Sequence, residues 1–586
     1  MRLRLAPIAA LVLATLALPG GAARAATLYA PTYGTSPEAI RGFATAADGS
    51  PSPLAGTFFT FPSSDPGGVI SLAFTPDGGR AVSTFLFTGG LRGLTVAADG
   101  SIAATAPAVD APSITGLAVS PDGRFAYAPT RTFSAEPPAV GILGYSIGTD
   151  GTLTPIDGSP FSSGEFADVA ITPDGRFLYG RTGGQLKHFE IASDGKLTEV
   201  GTPTAFLSTT LQVSPDGRFL FAAETSGMDA VTSFSIAPDG NLTANGSPAL
   251  TGGPSLGFFA VAPDGRHIYM PDSSSDVIVT AAVADDGQLS VVGSAPVNAV
   301  ETVGVSPDGR FLYYGTSGGS GVIGVASIGG DGKPTILPAT TPWPSGEPER
   351  LTFRPSVAPT AAFSAVAGAP AAASTFDAGP STGAARFDWD FGDGTALPDG
   401  GPTPAHSYAN AGVYEVRLTV TDAGGCSTGH LYTGQSTVCP GGASASTTAT
   451  LDTLPALTAL SVTNARFAVA AARRSRVKRG TAFRYRLSEP ARVTITIRRK
   501  TIGRRVGGKC RAPTRRNRRR KPCILFKRVG RIGADAKAGR NRTKFSGKVR
   551  GRRLRRGRFR AVAVAKDSAG GRSTSRTVAF RIVRAR

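Results

Sequence analysis

Histidine, cysteine and tryptophan are scarce in this chain, which has four His, four Cys and two Trp among 586 residues. So few His and Cys, with no C-x-x-C spacing, disfavour both a metal framework and a histidine-rich catalytic centre, and we expect no metal and no cofactor. After the first 25 residues, no apolar run approaches the roughly 20 residues of a membrane span. The sequence therefore predicts no transmembrane segment.

The first 25 residues differ from the rest of the chain. Arg2 and Arg4 precede an apolar run at 5–18, and small residues surround the end of the segment at Ala25. This order is typical of a secretory signal peptide, and we expect cleavage before Ala26. The sequence therefore predicts a secreted, extracellular protein that is associated with the cell surface.

Acidic residues are nearly missing from the last part of the chain. Residues 456–586 contain 43 Lys or Arg and three acids, whereas residues 1–455 contain 20 basic and 38 acidic residues. Such a basic segment favours polyanion binding. For an exported protein this predicts a cell-wall polyanion or polysaccharide as partner, with other surface proteins as a further class, and disfavours nucleic acid. The alternatives are phospholipid headgroups, a merely solvated basic surface and docking on the acidic first part. The densest cluster comprises Arg515, Arg516, Arg518, Arg519, Arg520 and Lys521.

The four cysteines form two local pairs, Cys426 with Cys439 and Cys510 with Cys523. In an exported protein such pairs favour two disulfides. A zinc site is the alternative, but neither pair has the usual ligand spacing. His430 is the one histidine near either pair.

A ten-residue motif, SPDGRFLYYG at 306–315, recurs with variations through the first 350 residues. A second motif with an Asp-Gly pair alternates with it. Each unit predicts four short strands, because Ser/Thr-Pro-Asp-Gly and Asp-Gly are turn sequences between alternating apolar runs. Four strands in 40 to 50 residues are the signature of a β-propeller blade. The recurring Pro-Asp-Gly-Arg set is interpreted as scaffold. The first motif places its Asp at positions 77, 122, 174, 216, 264 and 308.

The two ends of the repeat region complete one another. Residues 26–34 match the strand that follows the first turn, and residues 349–355 match the strand that precedes it. One blade is therefore expected to be split between the two ends, which leaves no open sheet edge. The predicted fold class is all-β: a seven-bladed β-propeller with split-blade closure at 26–355, followed by two Ig-like β-sandwich domains.

Three resemblances accompany these patterns. SPDGRFLY with the following strand and Asp-Gly turn resembles the YVTN-repeat and lactonase-like propellers, a group that implies sugar-lactone hydrolases or surface binding proteins. FDWDFGDGT at 387–395 and HSYANAGVYEVRLTVTD at 406–422 resemble the PKD domain. We place that domain at 356–455, with an insertion bracketed by the first cysteine pair. The Arg-rich domain at 456–586 resembles Ig-like or fibronectin-like C-terminal modules of exported bacterial proteins.

Candidate ligand residues lie where the blades differ, in loops expected to share one face of the ring. A ring of loop carboxylates is suited to a cation or a hydroxyl-rich glycan, with ordinary solvated loop acids as the alternative. His188 lies on a third strand and is the candidate base if the propeller is catalytic. The candidates are Glu224, Asp229, Asp272, Asp276, Arg131, Glu136 and His188.

The scarcity of histidine and the repetition of the most distinctive residues favour a non-enzymatic binding or adhesion protein. In this interpretation the propeller is a binding platform and the basic domain is a non-covalent anchor to anionic wall polymers. The alternative is an exported lactonase-like hydrolase acting on sugar lactones. The sequence leaves open the ligand, the oligomeric state and the fold of residues 423–445.

Overall fold

The computed structural model describes residues 26–33, 39–54, 59–61, 68–85, 90–111, 113–131, 140–206, 210–224, 230–250, 258–317, 321–343, 346–356, 358–427, 430–432, 437–439, 444–469 and 477–584. The proposed signal peptide at 1–25 lies outside them. None of the described residues forms a helix with the length and apolar character that crossing a membrane requires.

The chain divides into two compact units. The first contains the described residues up to Thr360 together with Thr382–Arg386 and Val420–Ala445. The second contains Ala361–Ser381, Phe387–Thr419 and Ser446–Arg586.

The first unit is a propeller whose described residues form seven antiparallel sheets, here called blades 1 to 7. Blade 1 is split between the two ends of the region. Its early strands are Ala26–Tyr33, Ala39–Thr45, Pro51–Pro53 and Phe59–Thr60, and its late strands are Glu347–Pro348 and Thr352–Phe353. Leu28 pairs with Phe353 and Thr32 pairs with Pro348, which closes the ring as the sequence predicts.

The other six blades are continuous in sequence, and in each the first strand is the innermost. Blade 2 comprises Val69–Phe74, Arg80–Phe85, Leu91–Val96 and Ile102–Ala104; blade 3, Ala118–Val119, Phe125–Pro129, Ile142–Ile147 and Leu153–Pro155; blade 4, Phe166–Ile171, Phe177–Thr182, Gln185–Ile191 and Leu197–Ala205. Blade 5 comprises Thr210–Val213, Phe219–Glu224, Ala230–Ile236, Leu242–Ala244 and Ala249–Leu250; blade 6, Ala260–Val261, His267–Asp272, Val277–Val283 and Leu289–Pro296; blade 7, Val300–Val305, Phe311–Thr316, Val322–Ile328 and Pro334–Pro342.

The Pro-Asp-Gly-Arg motif is a turn between the first two strands of a blade. In blade 3, the Oδ1 atom of Asp122 accepts hydrogen bonds from the Ser120 hydroxyl at 2.5 Å and the Arg124 N–H at 3.0 Å. Gly123 adopts φ 71°, a conformation that favours glycine. The Arg124 guanidinium returns to Asp122 at 2.7 Å and stacks over the Phe125 ring at 4.7 Å. These contacts confirm that the motif is scaffold.

The same motif joins each blade to the next. Tyr179 of blade 4 donates its hydroxyl hydrogen bond to the Gly240 carbonyl in the Asp-Gly turn of blade 5 at 2.9 Å. At each of the other six junctions, an equivalent tyrosine or a motif arginine donates a hydrogen bond to a backbone carbonyl of the next blade. Each buried tyrosine hydroxyl is thereby paired, as buried polar groups usually are. The donors are Tyr29, Arg80, Tyr127, Arg218, Tyr269 and Tyr313, which contact Gly100, Gly148, Gly195, Asp285, Gly332 and Gly49 respectively.

A small hairpin follows the PKD strand that ends at Thr421 and belongs to the first unit. Its strands are Leu431–Tyr432 and Thr437–Val438, and the Cys426–Cys439 disulfide closes it. Tyr432 is buried among apolar residues of blades 2 and 3, and its hydroxyl donates to the Phe74 carbonyl. This is the segment whose structure the sequence leaves open.

The PKD sandwich has two sheets. One contains Ser364–Val366, Ala373–Asp377 and Ala405–Ser407, and the other contains Ala396–Leu397, Arg386–Asp390, Val413–Thr421 and Ser446–Asp452. Trp389 and Phe391 are buried between them, and Trp389 packs against Phe363 and Phe376. Asp390 caps the turn by accepting the Gly392 N–H.

The basic domain is a second sandwich around a core that contains Phe483, Val493, Ile495, Phe559 and Phe580. One sheet contains Leu457–Val462, Thr481–Leu487 and Gly539–Phe545. The other contains Arg466–Phe467, Arg576–Ile582, Gly557–Lys566, Ala491–Val506, Lys509–Arg511 and Pro522–Ala536, and a short ribbon pairs Lys548–Val549 with Arg552–Arg553. The Cys510–Cys523 disulfide closes the long hairpin between Ala491–Val506 and Pro522–Ala536.

Candidate functional site

The propeller has two distinct faces. In blade 4, Ile171 pairs with Leu178 beside the Pro-Asp-Gly turn, whereas Phe166 pairs with Thr182 at the opposite end. Each first strand therefore begins, and each second strand ends, on the face away from these turns. We call this the loop face and the other the turn face.

The channel between the innermost strands is too small for a sugar ring. Its cavity has a volume of about 70 Å³ and is lined mainly by apolar residues, with Arg350 towards the loop face and Val438 of the small hairpin towards the turn face. This volume is less than half of the roughly 150 Å³ of a cavity that holds benzene. A substrate must therefore bind at a mouth of the channel.

A buried ion pair crosses the channel beneath the loop face. Nη2 of Arg350 in blade 1 lies 3.2 Å from Oδ2 of Asp168 in blade 4, and the two side chains are 6% and 1% exposed. Oδ2 also accepts the Leu211 N–H at 3.0 Å, and the guanidinium stacks over Phe258 at 4.6 Å. Burial raises the pKa of Asp168, although Arg350 acts in the opposite direction. This pair forms the floor of the loop-face mouth.

Three polar atoms of this ion pair make no hydrogen bond with the described atoms. Nε and Nη1 of Arg350 and Oδ1 of Asp168 are buried without a hydrogen-bond partner among the described atoms. Oδ1 lies against Gly116, where even a Cβ atom would approach it to 2.3 Å. A side chain at position 116 would therefore displace the carboxylate.

Two further guanidinium groups and a carboxylate lie at the same mouth, where blades 3 and 4 meet. Arg131 follows the second strand of blade 3, and its Nε lies 3.9 Å from Oε2 of Glu165, which precedes the first strand of blade 4. Arg181 lies near the end of the second strand of blade 4. Burial and the neighbouring Arg131 charge lower the pKa of Arg181, and its buried Nε has no hydrogen-bond partner among the described atoms.

Such an arrangement suits an anionic or oxyanionic ligand. Guanidinium groups that are close together repel one another unless an anion lies between them, and low polarity strengthens each such contact. Glu165 is 43% exposed and therefore accessible to solvent and ligand. The cluster combines two groups that stabilise negative charge with one group that can accept a proton.

The predicted loop carboxylates have mixed outcomes. Glu224 ends the second strand of blade 5 and Asp272 ends that of blade 6, so both occupy the loop face. Asp272 is fully buried, and its Oδ1 accepts bonds from Ser274 and Ser275. Oδ1 of Asp276 accepts the Ala299 N–H at 2.6 Å. These two side chains thus cap local loops. Asp229 and Glu136 lie outside the described residues.

His188 is a core residue of blade 4 and is not part of the loop-face cluster. It is 2% exposed in the third strand of blade 4, and its ring contacts the rings of Phe177 and Tyr179. Its ring also packs against Gly240 in the next blade, so it fills the junction between blades 4 and 5. Burial lowers its pKa, as expected for a histidine kept neutral in a core.

The basic cluster of the last domain is on the turn of the long hairpin. Its side chains are all exposed. The two strands of the hairpin remain paired as they extend from the sheet beyond the domain core. Both predicted disulfides are present, and the described residues include no free cysteine. The cluster comprises Arg515, Arg516, Arg518, Arg519, Arg520 and Lys521.

Sequence reasoning missed Asp168, Arg350, Arg181 and Glu165. A signal for the first was available, because blade 4 reads FADVAI and has a carboxylate where the corresponding residues of the other continuous blades are uncharged, namely Ser71, Gly116, Thr210, Phe258 and Thr302. A charge in an innermost strand is costly unless it is paired. Its partner could not be read from the sequence, since Arg350 lies 182 positions away.

Comparisons with known proteins agree with this architecture. Residues 356–438 match the family model of the PKD domain, and residues 151–256 and 180–290 match the model "Lactonase, 7-bladed beta-propeller". A 6-phosphogluconolactonase of Pectobacterium carotovorum is 29% identical over 191 residues, which cover 31% of this chain and 56% of that protein. A 6-phosphogluconolactonase of Yersinia enterocolitica is 24% identical over 245 residues, 38% of this chain and 68% of that protein. The chain thus spans little more than half the length of the first of these relatives.

Two solved structures are similar to part of this chain at low sequence identity. The periplasmic gluconolactonase of Pseudomonas aeruginosa is 22% identical, with a TM-score of 0.46, and the match covers 56% of this chain and 99% of that one. The hydrazine synthase of Kuenenia stuttgartiensis is 17% identical, with a TM-score of 0.35, over 46% of this chain and 79% of that one.

The preference for a non-enzymatic adhesion protein is wrong. The relatives identified by sequence are named lactonases, and the family model that matches the propeller is the lactonase model. These findings support the lactone-hydrolase alternative.

Proposed function

We propose that this chain, which carries a lactonase-like seven-bladed propeller and a PKD domain, is a lactone hydrolase that acts on sugar lactones. The observation that carries the proposal is the convergence of Arg131, Arg181 and Glu165 at the loop-face mouth. The names of the two sequence relatives support the substrate class. The small channel volume supports a substrate that binds at the mouth, above the Arg350–Asp168 pair.

The chemistry needs a base and an oxyanion site. Glu165 accepts a proton from the attacking water, whose oxygen forms a bond to the lactone carbonyl carbon. The guanidinium of Arg181, helped by Arg131, stabilises the negative charge that develops on the carbonyl oxygen. The ring C–O bond then breaks, the proton passes from Glu165 to the departing ring oxygen, and a hydroxy acid results. Arg350 and Asp168 hold the floor and are positioning residues.

The test measures hydrolysis of glucono-1,5-lactone and its 6-phosphate by the full chain, as acid release above the spontaneous rate. We expect Glu165→Gln to lower kcat about 100- to 10,000-fold, since it removes the general base. Arg181→Met is expected to lower kcat about 100- to 1,000-fold, since it removes an oxyanion donor.

Glu199→Gln is the matched control. Glu199 belongs to the same blade but pairs with Lys187 on its exposed outer strands, so kcat should be unchanged. Wild-type protein that fails to exceed the spontaneous rate on either lactone would refute the proposal. Full activity in Glu165→Gln would refute the assignment of the base.

A further inference from the structure

The Cys426–Cys439 hairpin is fixed to the turn face of the propeller. The Cys439 N–H donates to the Pro307 carbonyl of blade 7 at 3.0 Å, and the Tyr432 hydroxyl donates to Phe74 of blade 2. Tyr432 is 6% exposed, and Val438 lines the channel cavity. The hairpin therefore contacts blades 2 and 7 and contributes Val438 to the lining of the channel.

A histidine stands beside both sulfurs of this hairpin. The Sγ atoms of Cys426 and Cys439 and a ring nitrogen of His430 lie within 4.8 Å of one another. Cys426 is 1% exposed, and the His430 side chain is 10% exposed. Two thiolates and one imidazole are a ligand set that zinc prefers.

The histidine is oriented as a metal ligand would be. Nδ1 lies 2.6 Å from the Ser356 carbonyl oxygen, and because a carbonyl only accepts, Nδ1 carries the proton and donates. In the tautomer that carries its proton on Nδ1, the other ring nitrogen, Nε2, has the lone pair that a metal would take, and Oδ2 of Asp422 lies 2.9 Å from it. Metal-bound histidines commonly donate their other N–H to a backbone carbonyl in this way.

A carboxylate next to the ring favours positive charge at this place. Oδ2 of Asp422 lies 2.9 Å from Nε2 of His430, and the Asp422 side chain is 1% exposed. A cation bound to this ring nitrogen would lie close to the carboxylate, which would stabilise it.

We propose that reduction of the Cys426–Cys439 disulfide converts this place into a zinc site with Cys426, Cys439 and His430 as ligands. A dithiol reductant transfers two electrons to the S–S bond, is itself oxidised to a disulfide, and leaves two thiols. Zinc then binds both sulfurs and the imidazole nitrogen and releases the two thiol protons. The sulfurs separate to about 3.8 Å, the spacing that tetrahedral Zn–S bonds of about 2.3 Å require. Water fills the fourth position.

The consequence is a hairpin that can be closed in two ways. The disulfide closes it under oxidising conditions, and zinc closes it after reduction. In both states Tyr432 and Val438 stay on the propeller. This inference does not depend on the proposed hydrolase activity.

The chain contains its own control. Cys510 and Cys523 match the first pair in their separation of 13 positions and in their Cα–Cα distance of 5.9 Å. Among the described residues, however, only the first pair lies within ligand distance of a third metal-binding side chain. If reduced cysteine pairs alone explained binding, both pairs would bind zinc.

The experiment uses the full chain, reduced with a phosphine and desalted without oxygen. Native mass spectrometry counts bound zinc, and cobalt substitution reports thiolate ligation and tetrahedral geometry through its absorption spectrum. We expect one zinc per reduced chain, none per oxidised chain, and one in the double variant Cys510→Ser/Cys523→Ser. His430→Gln should weaken binding more than about 100-fold, and His430→Cys should restore it with a changed cobalt spectrum.

The outcomes separate clearly. Absence of zinc from the reduced wild-type chain would refute the site, as would equal binding by His430→Gln. Loss of binding in Cys510→Ser/Cys523→Ser would move the site to the other pair and also refute the proposal. The melting temperature of oxidised His430→Gln shows whether that variant is folded, and His430→Cys tests the ligand role if it is not.

Discussion

The buried Arg350–Asp168 pair makes a quantitative prediction about the propeller. We consider Asp168→Asn, which removes the charge but keeps an acceptor for the Leu211 N–H. It leaves the Arg350 guanidinium 6% exposed, with Nε and Nη1 already without partners among the described atoms. Breaking one side of such a pair costs about 3–5 kcal/mol, because the remaining charge stays buried.

The expected shift in melting temperature follows from the size of the propeller. At about 2.1 cal/mol/K for each of about 330 residues, the entropy of unfolding is about 0.7 kcal/mol/K, so the propeller transition should fall by about 4–7 °C. The chain has two tryptophans, Trp343 in the propeller and Trp389 in the PKD core. In a Trp389→Phe background, tryptophan fluorescence therefore reports the propeller alone.

Two further variants test the reasoning. Arg350→Met leaves Asp168 without its cation, so the pKa of Asp168 rises further and the loss of stability grows as the pH increases through that pKa. The double variant Asp168→Asn/Arg350→Met should recover most of the loss, since it buries no unpaired charge. The exposed-pair control Glu199→Gln should change stability by less than about 1 kcal/mol. A shift below 1 °C in Asp168→Asn, or additive losses in the double variant, would refute the argument.

Two other predictions concern the basic domain. Burial and the carboxylates of Asp452 and Asp567 raise the pKa of Glu489 to about 7, so ionisation destabilises the folded state progressively as the pH rises from about 4.5 to 7. Glu489→Gln should therefore melt like the wild type at pH 4 and higher than it at pH 8 in calorimetry; equal melting at pH 8 would contradict this. We also propose that the hairpin turn binds anionic polymers: with about six phosphates neutralised, binding to polyphosphate should show a log–log salt slope near −5. Replacing the six-residue cluster by Ser should flatten the slope, and salt-independent binding would reject this prediction; the cluster is Arg515, Arg516, Arg518, Arg519, Arg520 and Lys521.

The blades could be predicted because their determinants are local. Asp122, Gly123 and Arg124 form their turn with residues at most a few positions away, and the same composition returns with each copy. The split blade was also predictable, because its two halves match known parts of the repeat. The two strands on either side of Ser488, Glu489 and Pro490 can be predicted in the same way, from alternating apolar residues and the turn between them.

The site was less accessible to such reasoning because it depends on contacts between residues that are far apart in the sequence. Asp168 and Arg350 are 182 positions apart, and Tyr432 contacts Phe74 across 358 positions. Nothing in local composition indicates which blades face one another across a ring. His188 shows the opposite error: its residue type attracted attention, but its contacts are those of a core residue between Phe177 and Tyr179.

The split blade has a consequence for the order of events during synthesis. The strand Ala26–Tyr33 is synthesised about 320 residues before its innermost partners Glu347–Pro348 and Thr352–Phe353. At usual translation rates of about 5–20 residues per second this interval lasts about 15–65 s. During that interval one edge of Ala26–Tyr33 has no native neighbour and is open to pairing with another nascent chain. Ring closure therefore requires that residues up to Phe353 have been synthesised, and until then this edge of Ala26–Tyr33 stays unpaired.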